Sequence, residues 1–491
     1  MIASFYLVVL ISFCVSKIIL RKAKTVHISN TPANRIPLCV FFFVPFGMLL
    51  LHYIAFYPGG FSADSVRQYT QAISGTYSDW HPFTHTFLTF TIPLFLTGGW
   101  IGSIVLFQIV VFSLALAYSL FTIQTYTNRK YALIAMLFFV LNPQTGSIVI
   151  IPYKDVAFAI GALLLTSFSI HVFMTNGKWL NTAFTTAAVI IVVALTTLFR
   201  HNAILFTAPS LLAMMLWTHR KKAATVCVAV LLLFAVVKGP VYSLVNVKAA
   251  SQRQVETLGL PMTVIGAVVH DHPEVLSDEA EKFVYSVAPK EVWQEKYVYG
   301  DYNVVKRDPR TDNTVIEQYG ASAVISIMVQ CFKSAPRTAM RGLICLTDPI
   351  YSLTHLNYEY VFPYVTDNDI GIAGHGIESL QTAARYYGNA GKWFPHLFGC
   401  LGLIHLVILA VSLAYLRENR LKNWKAFLFA LPVFCYNFGT MLLLTGSKDT
   451  RRFFYYTFLL FPLMLVFYLG RQESSNLTDT QTSEEPAASS H

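Results

Sequence analysis

Acidic side chains are scarce where this chain is most apolar. The first 238 residues carry three, Asp64, Asp79 and Asp155, and residues 394–470 add only Glu418 and Asp449. Charged residues make up 13% of the 491 positions, too few to coat a water-soluble protein of this size, and 55% are hydrophobic. A carboxylate near hydrocarbon costs several kcal/mol unless it is paired or faces water, so each of these acids invites a functional explanation.

Other absences narrow the chemistry. The seven cysteines include no CxxC, and most lie in apolar runs where they act as small hydrophobes. Cys331 and Cys345 share one polar segment and could pair. The sequence contains no HExxH, no GxxxxGK[ST] and no Cys/His cluster with zinc spacing. His81 and His85 stand i, i+4 and could supply two metal ligands, but no further ligand stands beside them. The cofactor is therefore left open: a divalent metal is compatible, and none is indicated. The net charge of +10 does not point to nucleic acid, because the basic residues cluster in short connections between apolar runs, as orientation signals do.

Apolar runs near the ~20 residues that cross a bilayer define an all-α polytopic membrane protein, since open strands would leave backbone groups unsatisfied in lipid. Eleven spans are expected, at 1–20, 37–57, 101–122, 131–151, 156–174, 181–199, 203–217, 223–242, 394–416, 425–446 and 453–470. The first is expected to be uncleaved, with its N-terminus outside, because Arg21-Lys22-Ala23-Lys24 follows it rather than precedes it. Placing the basic connections inside leaves 59–100, 152–155, 200–202, 243–393 and 447–452 outside. Four organisational units follow: an N-terminal bundle (1–242), an inserted, mainly helical extracytoplasmic domain (243–393) without a spanning run, C-terminal spans (394–470) and a disordered cytoplasmic tail (471–491). Residues 83–97 are apolar but short and contain Pro93, so an interfacial or re-entrant helix is expected there. Ser277-Asp278-Glu279 predicts a capped helix start in the inserted domain.

The outward segments hold the candidate residues. Asp64, Arg67 and Gln68 fit one helical turn, and Ser78-Asp79-Trp80-His81-Pro82 enters the interfacial segment. A carboxylate there can deprotonate an acceptor hydroxyl, while Arg and His can hold a phosphate leaving group. The plainer alternative is an i, i+3 ion pair of Asp64 with Arg67 and a polar turn at Asp79. Lys154-Asp155 follows a span broken at Asn142-Pro143, and is either a membrane-edge pair or a phosphate ligand beside a supporting carboxylate. Arg200 between two apolar runs is either a phosphate ligand or a snorkelling cation. Asp449, Arg451 and Arg452 stand on the outside against the positive-inside trend, which favours an anionic partner over a solvated turn.

The order of these motifs resembles the GT-C superfamily of integral-membrane glycosyltransferases: an early membrane-edge acid, a loop ending in His81-Pro82, an outward Lys154-Asp155 and a late Asp449/Arg451-Arg452-aromatic motif. The inserted region, from Glu256 to Pro261 and from Pro289 to Arg307, also looks like segments of bacterial members. The resemblance implies transfer of a sugar from a polyprenyl-phosphate donor to a cell-envelope acceptor on the outer face of the plasma membrane. It makes Asp64 the base or acceptor-positioning group, Asp155 the second acid with Lys154 beside it, and Arg451 or Arg452 the donor-phosphate ligand. This chain departs from the family in having Ser65 after Asp64, where many members carry a second acid, and in inserting its large outer segment before the last spans. Asp79 competes with Asp64 for the role of base. A repeat-unit polymerase or ligase would use the same outer-face logic. A transporter or flippase is expected to place ionisable groups at the midplane of repeated halves, and no internal repeat is evident.

Overall fold

A computed structural model describes residues 35–250, 253–356, 358, 360–418, 424–443 and 450–470, with positions 10, 13, 14 and 17 nearer the N-terminus. The expected first span and the tail lie outside the described residues, apart from those four positions. Among the described residues the protein is helical, with isolated backbone bridges at Phe61–Val365, Ser78–Lys248 and Val298–Asp301.

Among the described residues, five helices are long and apolar enough to cross a membrane: Leu38–Ala55, Gly102–Tyr126, Lys154–Met174, Arg220–Leu244 and Thr314–Ser334. A sixth results if Arg129–Leu141 and Pro143–Val149, bent by 65°, count as one span. This is an all-α membrane protein; five or six full-length spans are seen among the described residues, where eleven are expected over the whole chain. Many of the others are present but short. Ile204–Met215 has 12 residues, about 18 Å at 1.5 Å per residue against a hydrocarbon core of about 30 Å. The break at Asn142-Pro143 has a local cause: proline starts the second segment, and the Asn142 Oδ1 accepts from the Gln144 N–H at 3.0 Å.

In the inserted segment, Thr314–Ser334 is long and apolar enough for a span where none is expected. Gly320, at φ +75°, breaks this helix, and Val324, Ile327 and Cys331 on its longer part are buried in the segment's own apolar core. That core also takes in Phe283, Val284 and Trp293, separate from the main core of Phe41, Phe112, Leu163 and Tyr436. The Ser277 hydroxyl accepts from the Ala280 N–H at 3.3 Å, as the N-cap pattern requires. Cys331 and Cys345 are free thiols, so the pairing left open by the sequence is not made.

Residues 83–96 form one short helix containing a π-turn at Phe87–Thr91 ahead of Pro93. Proline has no N–H to donate, and a π-turn is one way to absorb the lost bond. Phe83, His85 and Phe90 face the bundle, while Phe95 and Leu96 are exposed. The helix packs on Ala63–Ser74, Gly102–Tyr126 and Ala183–Phe199, and so links the first outer loop to the bundle.

Candidate functional site

The site begins with a tight approach of backbones. Gly59 has φ +113°, and a Cβ there would stand 2.7 Å from the Ile150 carbonyl oxygen, so only glycine fits. The Gly60 N–H donates to that same carbonyl at 3.1 Å, fixing the loop before Ala63–Ser74 to the chain that leads into Lys154-Asp155. Phe61 then pairs in both directions with the inserted segment, its N–H to Tyr364 at 2.9 Å and its carbonyl to Thr366 at 2.8 Å. Ser62 caps the helix Ala63–Ser74, which places Asp64 in its first turn.

Four charged side chains from four places in the sequence meet there. Arg452 donates from Nε to Asp155 Oδ2 at 2.8 Å and from Nη2 to Asp64 Oδ2 at 2.7 Å. Arg200, at the end of Ala183–Phe199, donates to Asp155 Oδ1 and, through Nε, to Asn202 Oδ1 at 2.8 Å. Both Asp155 oxygens thus hold an arginine, and its side chain is 2% exposed against 30% for Asp64. The Asp64 Oδ1 is held less tightly, with His81 Nε2 at 4.0 Å. Aromatic rings brace the cations: the Arg452 guanidinium carbon lies 4.2 Å from the Tyr153 ring centre, and that of Arg200 lies 5.0 Å from Phe453.

Lys154 completes the cluster. It is half-buried and, among the described residues, makes no hydrogen bond or ion pair, although Asp64 and Glu256 act on it electrostatically. Glu256 is itself paired with Lys306. Three cations therefore surround two carboxylates, and one ammonium lacks a direct partner. A buried cation without a partner is costly, and an incoming anion removes that cost.

Burial tends to raise the Asp64 pKa, but the charges of Arg452 and Lys154 and the Arg452 hydrogen bond outweigh it and hold the carboxyl well below the usual range. Burial first, and then Lys154, hold the His81 imidazole down to about 3. Both His81 nitrogens are buried without a hydrogen-bond partner, so the neutral ring remains available to a ligand. Asp64 is ionised and His81 neutral through the physiological range. If the site is catalytic, kcat/KM, which reports the free enzyme, should stay level from about pH 5 to about pH 7. A limb centred near the usual His value of about 6.5 would contradict a buried, neutral His81.

An apolar cavity of about 250 Å³ is lined by Leu88, Phe107, Ile160, Leu164, Leu195 and Phe199 among others. It is continuous with the cluster in sequence. Ala157 in its wall is two residues past Asp155, and Phe199 immediately precedes Arg200.

The remaining candidates lie elsewhere. Asp79 points away from Asp64 and accepts from Lys238 Nζ at 3.2 and 3.1 Å and from the Tyr242 hydroxyl at 2.9 Å. Gln68 is buried against the interfacial helix, with its Oε1 2.6 Å from His85 Nδ1 and 3.1 Å from the Thr86 hydroxyl. That contact braces the loop helix and turns His85 away from any shared site with His81. Arg67 is exposed, and Asp64 bonds Arg452 instead of forming the i, i+3 pair. Asp449 and the Arg451 side chain lie outside the described residues. Among the described residues, no group of three His, Cys, Asp or Glu side chains could hold a metal ion. Lys238, Tyr242 and Tyr153 were missed by the sequence reading. A lone lysine before Gly239-Pro240 was the available signal for the first two.

Residues 77–476 match the family of unknown function DUF6020. The chain belongs to that family. The matched region includes Asp79, His81, Lys154, Asp155, Arg200 and Arg452, but begins after Asp64. No curated protein matches the sequence. Among solved structures, the chain is similar to the archaeal oligosaccharyltransferase AglB from Archaeoglobus fulgidus, determined with an inhibitory peptide and a dolichol-phosphate, at 12% identity and a TM-score of 0.34. That alignment covers 98% of this chain and 52% of the archaeal protein, so the chain spans about half its length.

Proposed function

We propose that this DUF6020 member is a membrane glycosyltransferase that takes a sugar from a polyprenyl-phosphate donor on the outer face and passes it to a cell-envelope acceptor. The observation that carries this reading is a cationic cluster, with Lys154 unpartnered among the described residues, on two helices, Lys154–Met174 and Ala183–Phe199, that also wall an apolar cavity. Phosphate suits the charged layer, and the first isoprene units of the prenyl chain suit the apolar cavity.

The chemistry follows from those placements. Lys154 and Arg452 take the donor phosphate, and Asp155 orients Arg200 and Arg452 without touching substrate. An acceptor hydroxyl attacks the anomeric carbon, the bond from that carbon to the phosphate oxygen breaks, and its electron pair leaves on the lipid phosphate. The hydroxyl proton passes to Asp64 Oδ1, the less constrained of its two oxygens. In the free protein Arg452 keeps Asp64 weakly basic. Phosphate bound to Arg452 draws on that same charge and restores basicity when the donor is in place. One displacement with one base and no covalent intermediate inverts the anomeric centre.

Replacing Lys154 tests the phosphate layer. Lys154→Met removes a cation that has no partner to leave behind, so folding should be unchanged. Binding of farnesyl phosphate should weaken about tenfold or more, the size expected for a hydrogen bond to a charged group. Equal affinity in the variant and the wild type would remove Lys154 from the phosphate site.

A further inference from the structure

A second polar site lies on the other side of the His81 turn. Its cavity of about 660 Å³ is walled by Asp79 and by residues 238–250, including Lys238, Tyr242, Ser243 and Asn246. That volume falls within the range of about 300–1,000 Å³ usual for small-molecule sites. Its polar end is organised: the Tyr242 hydroxyl donates to Asp79 while accepting from Lys238 Nζ at 2.8 Å. Its walls are tied together through backbone, with the Asp79 N–H on the Lys248 carbonyl at 2.8 Å and the Lys248 N–H on the Tyr77 carbonyl at 2.9 Å.

The groove differs from the transfer centre in charge. Asp79 and Lys238 cancel, leaving a carboxylate, an ammonium, a phenol, an amide and a hydroxyl that offer donors and acceptors without net charge. Such a lining suits a neutral ligand rich in hydroxyls, whereas the cationic cluster suits an anion. The two places are close. His81 is two residues from Asp79, at most about 7 Å along the chain, and its ring faces Asp64. On the other side, His201 Nε2 lies 3.0 Å from the Asp79 carbonyl oxygen, and the adjacent Arg200 is bonded to Asp155.

We infer that this groove holds the acceptor as a neutral, hydroxyl-rich sugar group, with Asp79, Lys238 and Tyr242 setting specificity; this rests on the transfer reaction proposed above. The group belongs either to a free glycan or to a glycolipid headgroup, since the chemistry that recognises both is the same.

The test uses the full-length protein in nanodiscs, with two acceptor probes and one donor probe. The acceptor probes are a panel of neutral disaccharides (cellobiose, mannobiose, chitobiose) read by saturation-transfer NMR, and diglucosyl-diacylglycerol read by native mass spectrometry. The donor probe is farnesyl phosphate. One acceptor class should bind the wild type. Its affinity should fall about tenfold or more in Asp79→Asn, as for a lost charged hydrogen bond, and in Ser243→Trp, which fills the groove from an exposed position. Farnesyl phosphate should bind the wild type, Asp79→Asn and Ser243→Trp equally. Disaccharide binding assigns a free glycan, and binding of the glycolipid alone assigns a headgroup. Binding of neither class to wild type that still takes farnesyl phosphate, or binding unchanged by Ser243→Trp, overturns the groove. Loss of farnesyl phosphate binding in the wild type would instead undo the donor reading.

Discussion

Asp64→Asn should lower transfer by about 10²- to 10⁴-fold, the usual contribution of a positioned general base, while leaving the protein folded and donor binding nearly intact. The amide keeps one oxygen to accept from Arg452, so the contact that organises the loop survives in weakened form. It cannot take a proton from an acceptor hydroxyl. The loss should therefore fall on kcat, and single-turnover measurement with saturating donor separates it from binding. Retained transfer in Asp64→Asn would remove Asp64 as the base. The carboxylate of Asp79 is then the less suitable replacement, because Lys238 and Tyr242 already engage it.

Asp155→Ala should act on a different quantity. Asp155 is buried and holds Arg200 on one oxygen and Arg452 on the other. Removing it leaves two cations without their shared anion, one of them fully within the protein. Breaking a buried pair in this way costs about 3–5 kcal/mol, so thermal unfolding in nanodiscs should shift clearly downward. Donor binding should fall as well, because the arginines lose their orientation. Asp155→Asn keeps an acceptor oxygen and should lose less on both counts. An Asp155→Ala protein as stable as the wild type would show that the two arginines do not depend on this carboxylate.

Much of the charged centre was legible in the sequence because ionisable residues at the ends of apolar runs stand out. Asp64, Lys154, Asp155, Arg200 and Arg452 were each visible for that reason, although their shared contacts were not. Asp79 was harder to assign. It lies two residues from His81 in sequence, yet the chain turns between them, so His81 faces Asp64 while the Asp79 carboxylate meets residues 238–242. Lys238 was hidden because residues 223–242 read as one continuous span, and a single lysine near its outer end looks like an interface anchor. Gln68, expected to touch substrate, is drawn inward by His85 and Thr86. Helical character was legible throughout, but hydropathy averages over a window and cannot see a break. It therefore counted the 12-residue Ile204–Met215 as a span and passed over the run containing Thr314–Ser334, whereas the break in 131–151 showed in Asn142-Pro143 itself.

The most direct measurement is donor consumption by purified wild-type protein in nanodiscs. The assay would offer a panel of polyprenyl-phosphate sugars, with Asp64→Asn in parallel. Use of one sugar with release of polyprenyl phosphate, lost in Asp64→Asn, is the expected result. Failure of folded protein both to bind and to consume every donor would contradict a lipid-linked glycosyl transfer at this site.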